Sequence, residues 1–246
     1  MIPISQGRSR RAVLAGAVCA LLVTGTALTG CSEDPNEGTN GVGRLSADQI
    51  RSRSQKAAES VGAVRLHGTV VTRGRTYTLD MRLKEQGGIG SVTTEGKTFR
   101  LLRVDDELYL KAGAEFWGHE DGEADAAAAD KLAEKYVKVP QGDPSYKKFV
   151  GFTDKNVLLG GLLTLHGELT TDGHHEKSGV RTIRVTGDEG SGGTLDVSLE
   201  GEPYPVRLVR AGKAGTLTFS SWGADFELKE PAEDETLDYG KQLPAS

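Results

Sequence analysis

From Thr76 to Lys84, apolar and polar residues alternate without a slip. Tyr77, Leu79, Met81 and Leu83 fall on one side, and Thr76, Thr78, Asp80, Arg82 and Lys84 on the other. A period of two suits a pleated strand and no helix. It also specifies a sheet with one wet and one buried face. The preceding run repeats the pattern, with Val64, Leu66 and Val70 set between Arg65, His67 and Thr69. Gly74 marks a hairpin turn after it, and Gln86-Gly87-Gly88 marks the next. Ile89–Thr94 and Thr98–Val104 flank Glu95-Gly96-Lys97, and Asp105-Asp106 turns into Glu107–Lys111. This order predicts a five-stranded antiparallel meander.

Ahead of the meander, Ser46-Ala47-Asp48-Gln49 has the chemistry of a capping box and predicts a helix to about Ser60. Its thin apolar stripe is Ile50, Ala57, Ala58 and Val61. Behind the meander, Ala124–Tyr136 has four consecutive alanines and no breaker, which predicts helix. Val137-Lys138-Val139-Pro140 closes it, and Gln141-Gly142-Asp143-Pro144 reads as a loop. Phe152-Thr153-Asp154 caps a second helix through Leu165, the most apolar segment after the N-terminal run. Six further strands are expected: Gly167–Thr171, Val180–Thr186, Thr194–Glu200, Pro205–Arg210, Thr216–Ser220 and Ala224–Lys229. The 33 glycines suit many short strands joined by tight turns. The expected class is α+β, with about 11 strands. A sheet that long curls, and the central apolar helices are the natural filling of its hollow.

The N-terminus has a different grammar. Arg8, Arg10 and Arg11 precede Ala12–Thr29, a stretch with no charge, and then Leu28-Thr29-Gly30-Cys31. A basic start, an apolar run and small residues at its end follow the plan of a secretory signal. The last four residues resemble a bacterial lipobox. That resemblance implies thioether lipidation of Cys31 by the lipoprotein maturation enzymes, acylation such as palmitate, and cleavage before Cys31. The competing reading is a transmembrane helix, which needs roughly 20 apolar residues. Gly16, Thr24, Gly25, Thr26 and Thr29 dilute this run. Ser9-Arg10-Arg11-Ala12-Val13-Leu14 also resembles a twin-arginine export signal, with Val13 where that pattern has Phe. Export by the general secretory route and by the twin-arginine route both remain open.

The expected organisation is a signal peptide over 1–30, a lipidated Cys and flexible tether over 31–43, one folded domain over 44–230, and a poorly ordered tail over 231–246. Removal of residues 1–30 takes away three arginines and no acid, moving the net charge from −5 to about −8. An acidic chain without a basic cluster argues against nucleic acid as a partner. Of the two cysteines, Cys19 leaves with the signal and Cys31 takes the lipid. The domain therefore relies on a packed core and not on a disulfide. No nucleophile elbow, Walker loop or HExxH motif is present, and no cofactor is expected. His174-His175-Glu176 suggests a metal, but adjacent residues of a strand face opposite ways. His119–Asp125 has the acid density of a calcium loop without its spacing. Trp222 is either a binding aromatic or a packing residue at a sheet edge.

Taken in order, these features resemble the actinobacterial lipoproteins of the LppX/LprAFG type, whose fold is that of the LolA/LolB carriers. The resemblance rests on the lipobox, the capped early helix and the meander ending in Asp106-Glu107-Leu108-Tyr109-Leu110. It continues through Phe116-Trp117, the Val137-Lys138-Val139 exit and Thr218-Phe219-Ser220-Ser221-Trp222-Gly223. It implies a strongly curved antiparallel half-barrel with helices packed in its concave face, whose hollow holds acyl chains. The implied lining is Leu66, Val70, Leu79, Met81, Leu83 and Leu110 from the strands, with Phe116, Trp117, Leu158, Leu162 and Leu165 from the insertion. The same residues equally suit an ordinary filled core.

Two functional readings follow. One is a non-enzymatic, monomeric lipoprotein anchored on the outer face of the cell membrane, binding a lipid or glycolipid. The other is an envelope interaction or sensor module with a filled core.

Overall fold

The computed structural model describes residues 34–117 and 129–238. The compact unit that starts at Pro35 is built on one 12-stranded sheet, unclosed and curved, in the order β12-β6-β5-β4-β3-β2-β1-β11-β10-β9-β8-β7. The meander forms as β1 (Ala63–Thr72), β2 (Arg75–Lys84), β3 (Gly87–Thr94), β4 (Lys97–Val104) and β5 (Glu107–Ala112). β6 (Tyr136–Val139) extends it. The second half comprises β7 (Leu169–Lys177), β8 (Val180–Gly187), β9 (Gly193–Ser198), β10 (Pro205–Arg210) and β11 (Thr216–Ser220). β1 pairs with β2 on one side and with β11 on the other, so the two halves form one surface. The last strand, β12 (Thr236–Asp238), runs parallel to β6, and the remaining neighbours are antiparallel.

Local chemistry explains the meander. The Arg73-Gly74 and Glu95-Gly96 turns both place two successive residues at positive φ, 50° and 77° in the first and 52° and 77° in the second. That backbone matches the right-handed twist of the flanking strands. The second hairpin turns at Glu85-Gln86, one residue earlier than expected, and Gly87 and Gly88 join β3. Along β2 the buried residues are Tyr77, Leu79, Met81 and Leu83, as the alternation requires.

The helices cover the concave face. α1 (Ala47–Ser60) begins at the expected capping box, in which Ser46 Oγ accepts from the Gln49 amide and Gln49 Oε1 accepts from the Ser46 amide. Its buried residues are Ala47, Ile50, Ser54 and Ala58, and it lies on the second half of the sheet, against β7–β10. α2 (Ala114–Trp117) and α3 (Pro144–Thr153) pack on the meander half, and α4 (Lys155–Leu162) packs against α3 and α1.

Several elements differ from the sequence expectation. Residues 144–153 form a helix where only a loop was expected at the start. Asp143 caps it, its side chain accepting from the Ser145 amide, and Pro144 opens it. Asp154 then caps α4 as expected, but α4 stops at Leu162, and Leu163 is its C-cap. Of the alanine-rich segment, residues 129–132 are helical and 118–128 lie outside the described residues.

Ala224–Lys229 is not a strand. It belongs to an irregular strap that crosses the outer face of the meander, where Phe226 packs beneath the Arg82 guanidinium at 4.4 Å. The strap continues into the segment expected to be poorly ordered. Tyr109 donates to Glu230 across 3.0 Å, Lys135 donates to the Asp234 carbonyl, and β12 docks on β6.

Residues 36–43, expected as tether, pack on the β8–β9 end of the sheet. The Asn40 side chain donates to the carbonyls of Ser198 and Gly201, and Val42 is 1% exposed. Cys31, the export signal and the acidic loop at His119–Asp125 lie outside the described residues.

Candidate functional site

The candidate site is the apolar interior between the concave face and the short helices. Alternation aims Leu66 and Val70 of β1, Leu79, Met81 and Leu83 of β2, and Leu110 of β5 inward. α2 supplies Phe116 and Trp117, α4 supplies Leu158 and Leu162, and Leu165 follows on the connection to β7. All eleven fall in a single hydrophobic cluster. Eight of them are buried, while Phe116, Leu158 and Leu165 are half-buried against the rest.

An aromatic group closes the β4–β5 end of this interior. Phe99 lies 5.4 Å from the Phe116 ring and 5.6 Å from Phe149, and Phe116 meets Trp117 edge-on at 5.0 Å. The Trp117 indole donates to the Ala112 carbonyl, so its only polar atom is satisfied. Further along, Tyr77 and Phe152 approach at 5.9 Å. Phe99, Phe149 and Leu159 belong to the same cluster, although the sequence analysis does not name them. Phe99 shares the parity of Leu101 on β4 and was open to discovery. Phe149 was hidden because its helix was not recognised.

Two buried cations enter this side of the fold among the described residues, and the chain uses both. Arg103 donates from Nε to Thr153 Oγ1 at 3.2 Å, from Nη2 to the Thr153 carbonyl at 3.2 Å, and from Nη1 to the Asp105 carbonyl at 2.8 Å. Asp154 stands 3.6 Å away as its counter-charge. Lys155, 4% exposed, donates to the carbonyls of Glu59 and Val61 at 2.7 Å each. Burial lowers its pKa from the ordinary lysine value, against the opposing pull of Glu85, Glu59 and Asp154. Both cations are spent on anchoring: Arg103 ties the α3–α4 junction to β4, and Lys155 ties it to the end of α1. Gly88 permits the close approach there, because a Cβ on it would stand 3.1 Å from the Thr153 carbonyl and 2.5 Å from Leu83 Cδ2.

The interior is thus lined by carbon, its charged neighbours already satisfied. Ser54 Oγ, on the buried face of α1, is a fully buried polar atom with no partner among the described residues. Burial against such a surface favours methylene groups and disfavours charge.

The other polar features settle elsewhere. His174 meets Asn36 Oδ1 at 3.1 Å while His175 turns to the Asp172 carbonyl at 2.7 Å. No group of three metal-ligating side chains occurs among the described residues. Trp222 stacks on Tyr204 at 4.9 Å and donates to the Pro205 carbonyl, so it packs between elements. Among the described residues, no helix is long and apolar enough to cross a membrane.

Neither a family model nor a curated protein matches the chain. Solved structures do. The chain is similar to LprF from Mycobacterium bovis at 20% identity and a TM-score of 0.52, covering 76% of this chain and 97% of LprF. It also matches the lipoprotein LppX of Mycobacterium tuberculosis at 18% identity and a TM-score of 0.42, over 74% of this chain and 98% of that one. A conserved protein from Thermus thermophilus follows at 13% identity and a TM-score of 0.35, over 78% and 98% of the two chains. The chain has an LprF-type fold.

Proposed function

We propose, on the premise of the LprF-type fold, that this chain is a non-enzymatic lipid carrier anchored on the outer face of the cell membrane. Its ligand is the acyl portion of a lipid or glycolipid, held in the hollow of the half-barrel. The observation that carries the reading is the interior described above: a carbon-lined concave face roofed by helices of four, ten and eight residues. Helices that short have little stability of their own in water. Their place is held by packing, and an acyl chain offers the same packing. Each methylene transferred from water contributes about 0.8 kcal/mol. Exchange of helix–sheet contact for acyl–sheet contact therefore costs little.

The anchor is Cys31, lipidated by the maturation enzymes after export by either route. Two or more acyl chains make such attachment nearly permanent. The chain works as a monomer without a cofactor.

A second reading has its own support. Leu66, Met81, Leu83 and Leu110 are each 0% exposed, as in a filled core. On that reading the protein is an envelope interaction or sensor module. Native mass spectrometry of residues 32–246, purified from an actinobacterial host, separates the two. Co-purifying mass that extracts into organic solvent supports carriage. A clean apo mass, with no uptake of added phospholipid or glycolipid, favours the interaction module.

A further inference from the structure

The outer face of the meander, on the far side of the sheet from the hollow, carries a groove of about 430 Å³. Register builds it. Asp80 faces Ser91 and Ser91 faces Arg100 across β2, β3 and β4, while Arg65 faces Arg82 and Arg82 faces Ile89 in the adjoining row. Tyr136 of β6 completes the wall. A smaller cavity of about 190 Å³ adjoins it, shares Arg65 and Arg82, and reaches Phe226 of the strap.

The charges in this groove do not balance. Arg65 and Asp80 neutralise each other through two hydrogen bonds of 3.0 and 2.9 Å. Arg82 makes no ion pair among the described residues. Its guanidinium carbon lies 4.4 Å from the Phe226 ring centroid, a cation–π contact that holds it without neutralising it. Arg100 is likewise unpaired among the described residues, and its neighbour across β5 is another cation, Lys111. Two uncompensated guanidinium groups thus share one groove on a chain of net charge −5. They sit two strands and one row apart, roughly 12 Å at the backbone, within reach of a common anion.

We propose that this groove binds an organic phosphate monoester. The dianionic phosphate bridges Arg82 and Arg100, whose planar forks match its oxygens two at a time. The organic group lies over Ile89 and the Tyr136 ring. A bare phosphate leaves most of the volume empty, and the volume falls within the range of small-molecule sites. The site is separate from the hollow and does not depend on it.

The test is calorimetric titration of the full chain, in a neutral phosphate-free detergent, with phenyl phosphate, inorganic phosphate and dihexanoyl phosphatidic acid. Phenyl phosphate is expected to saturate one site more tightly than inorganic phosphate. Arg82→Gln and Arg100→Gln should each weaken it about tenfold. Both side chains are exposed, so thermal unfolding of the variants should match the parent. Arg75→Gln removes the same charge outside the groove and should leave binding intact. If the phosphatidic acid binds more tightly still and loses that binding in Arg100→Gln, a lipid headgroup is the source. If phenyl phosphate alone responds to Arg100→Gln, the source is a soluble ester. Absence of saturable binding, indifference to Arg100→Gln, or an equal loss in Arg75→Gln would each overturn the proposal.

Discussion

The Lys155 ammonium donates to the Val61 carbonyl oxygen across 2.7 Å, joining the first residue of α4 to the residue that ends α1. It satisfies carbonyls that a helix end leaves open, and it ties the roof of the meander half to the helix that covers the other half. Lys155→Met retains most of the side-chain volume and removes the donor. The expected loss is about 2–3 kcal/mol, because buried acceptors lose a charged partner. Urea denaturation measures it, and a loss below about 0.5 kcal/mol would mean that water replaces the ammonium without penalty.

Gly88 controls how closely the α3–α4 junction approaches the sheet. A side chain there meets Leu83 and the Thr153 carbonyl. Gly88→Val is expected to destabilise the fold by roughly 1–3 kcal/mol through overpacking. Hydrogen exchange should show the loss concentrated in α3 and α4. Uniform loosening of the whole sheet would assign Gly88 a different role.

Tyr109 makes the strap pH-sensitive. Burial first, and then the hydrogen bond and charge of Glu230, push its hydroxyl up to about 12 from the usual 10.0. A raised folded-state pKa means stability that is complete below pH 10 and is lost as pH rises through 12. Tyr109→Phe should cost about 1 kcal/mol at neutral pH and should flatten the decline between those limits. Burial also raises Tyr146, so a tyrosinate absorbance titration of the parent should show several late steps, of which the one near pH 12 disappears in the variant. If that step persists in Tyr109→Phe, another tyrosine carries it.

The meander was legible in the sequence because two independent signals agreed: parity along the strands and residue-Gly pairs at the turns. α3 was obscure because Asp143-Pro144 serves equally well to open a helix or a turn, and Gly151 interrupts its weak apolar stripe. Ala224–Lys229 misled for the opposite reason. Its pattern suits a strand, but β1 already has neighbours on both edges, and Phe226 finds Arg82 instead. The acidic tail looked too polar to dock. Its order comes from Lys135 on the Asp234 carbonyl, from the pairing of β12 with β6, and from Leu237 against the core cluster. Of the interior, parity revealed the aliphatic lining, whereas the aromatic end depended on a helix that the sequence concealed.

Anchoring has a direct chemical test. Metabolic labelling with radioactive palmitate should mark the parent chain and leave Cys31→Ala unlabelled. Equal labelling of both would place the lipid elsewhere or remove it from the account.

The central claim is that acyl chains occupy the concave interior. The most direct measurement is photo-crosslinking of residues 32–246 with a phosphatidylcholine bearing a diazirine at the end of one acyl chain, followed by peptide mapping. The account predicts labels on inward residues such as Met81, Leu158, Leu162 and Leu165. Labels confined to Val157, an exposed apolar side chain of α4, or no labelling at all, would contradict it.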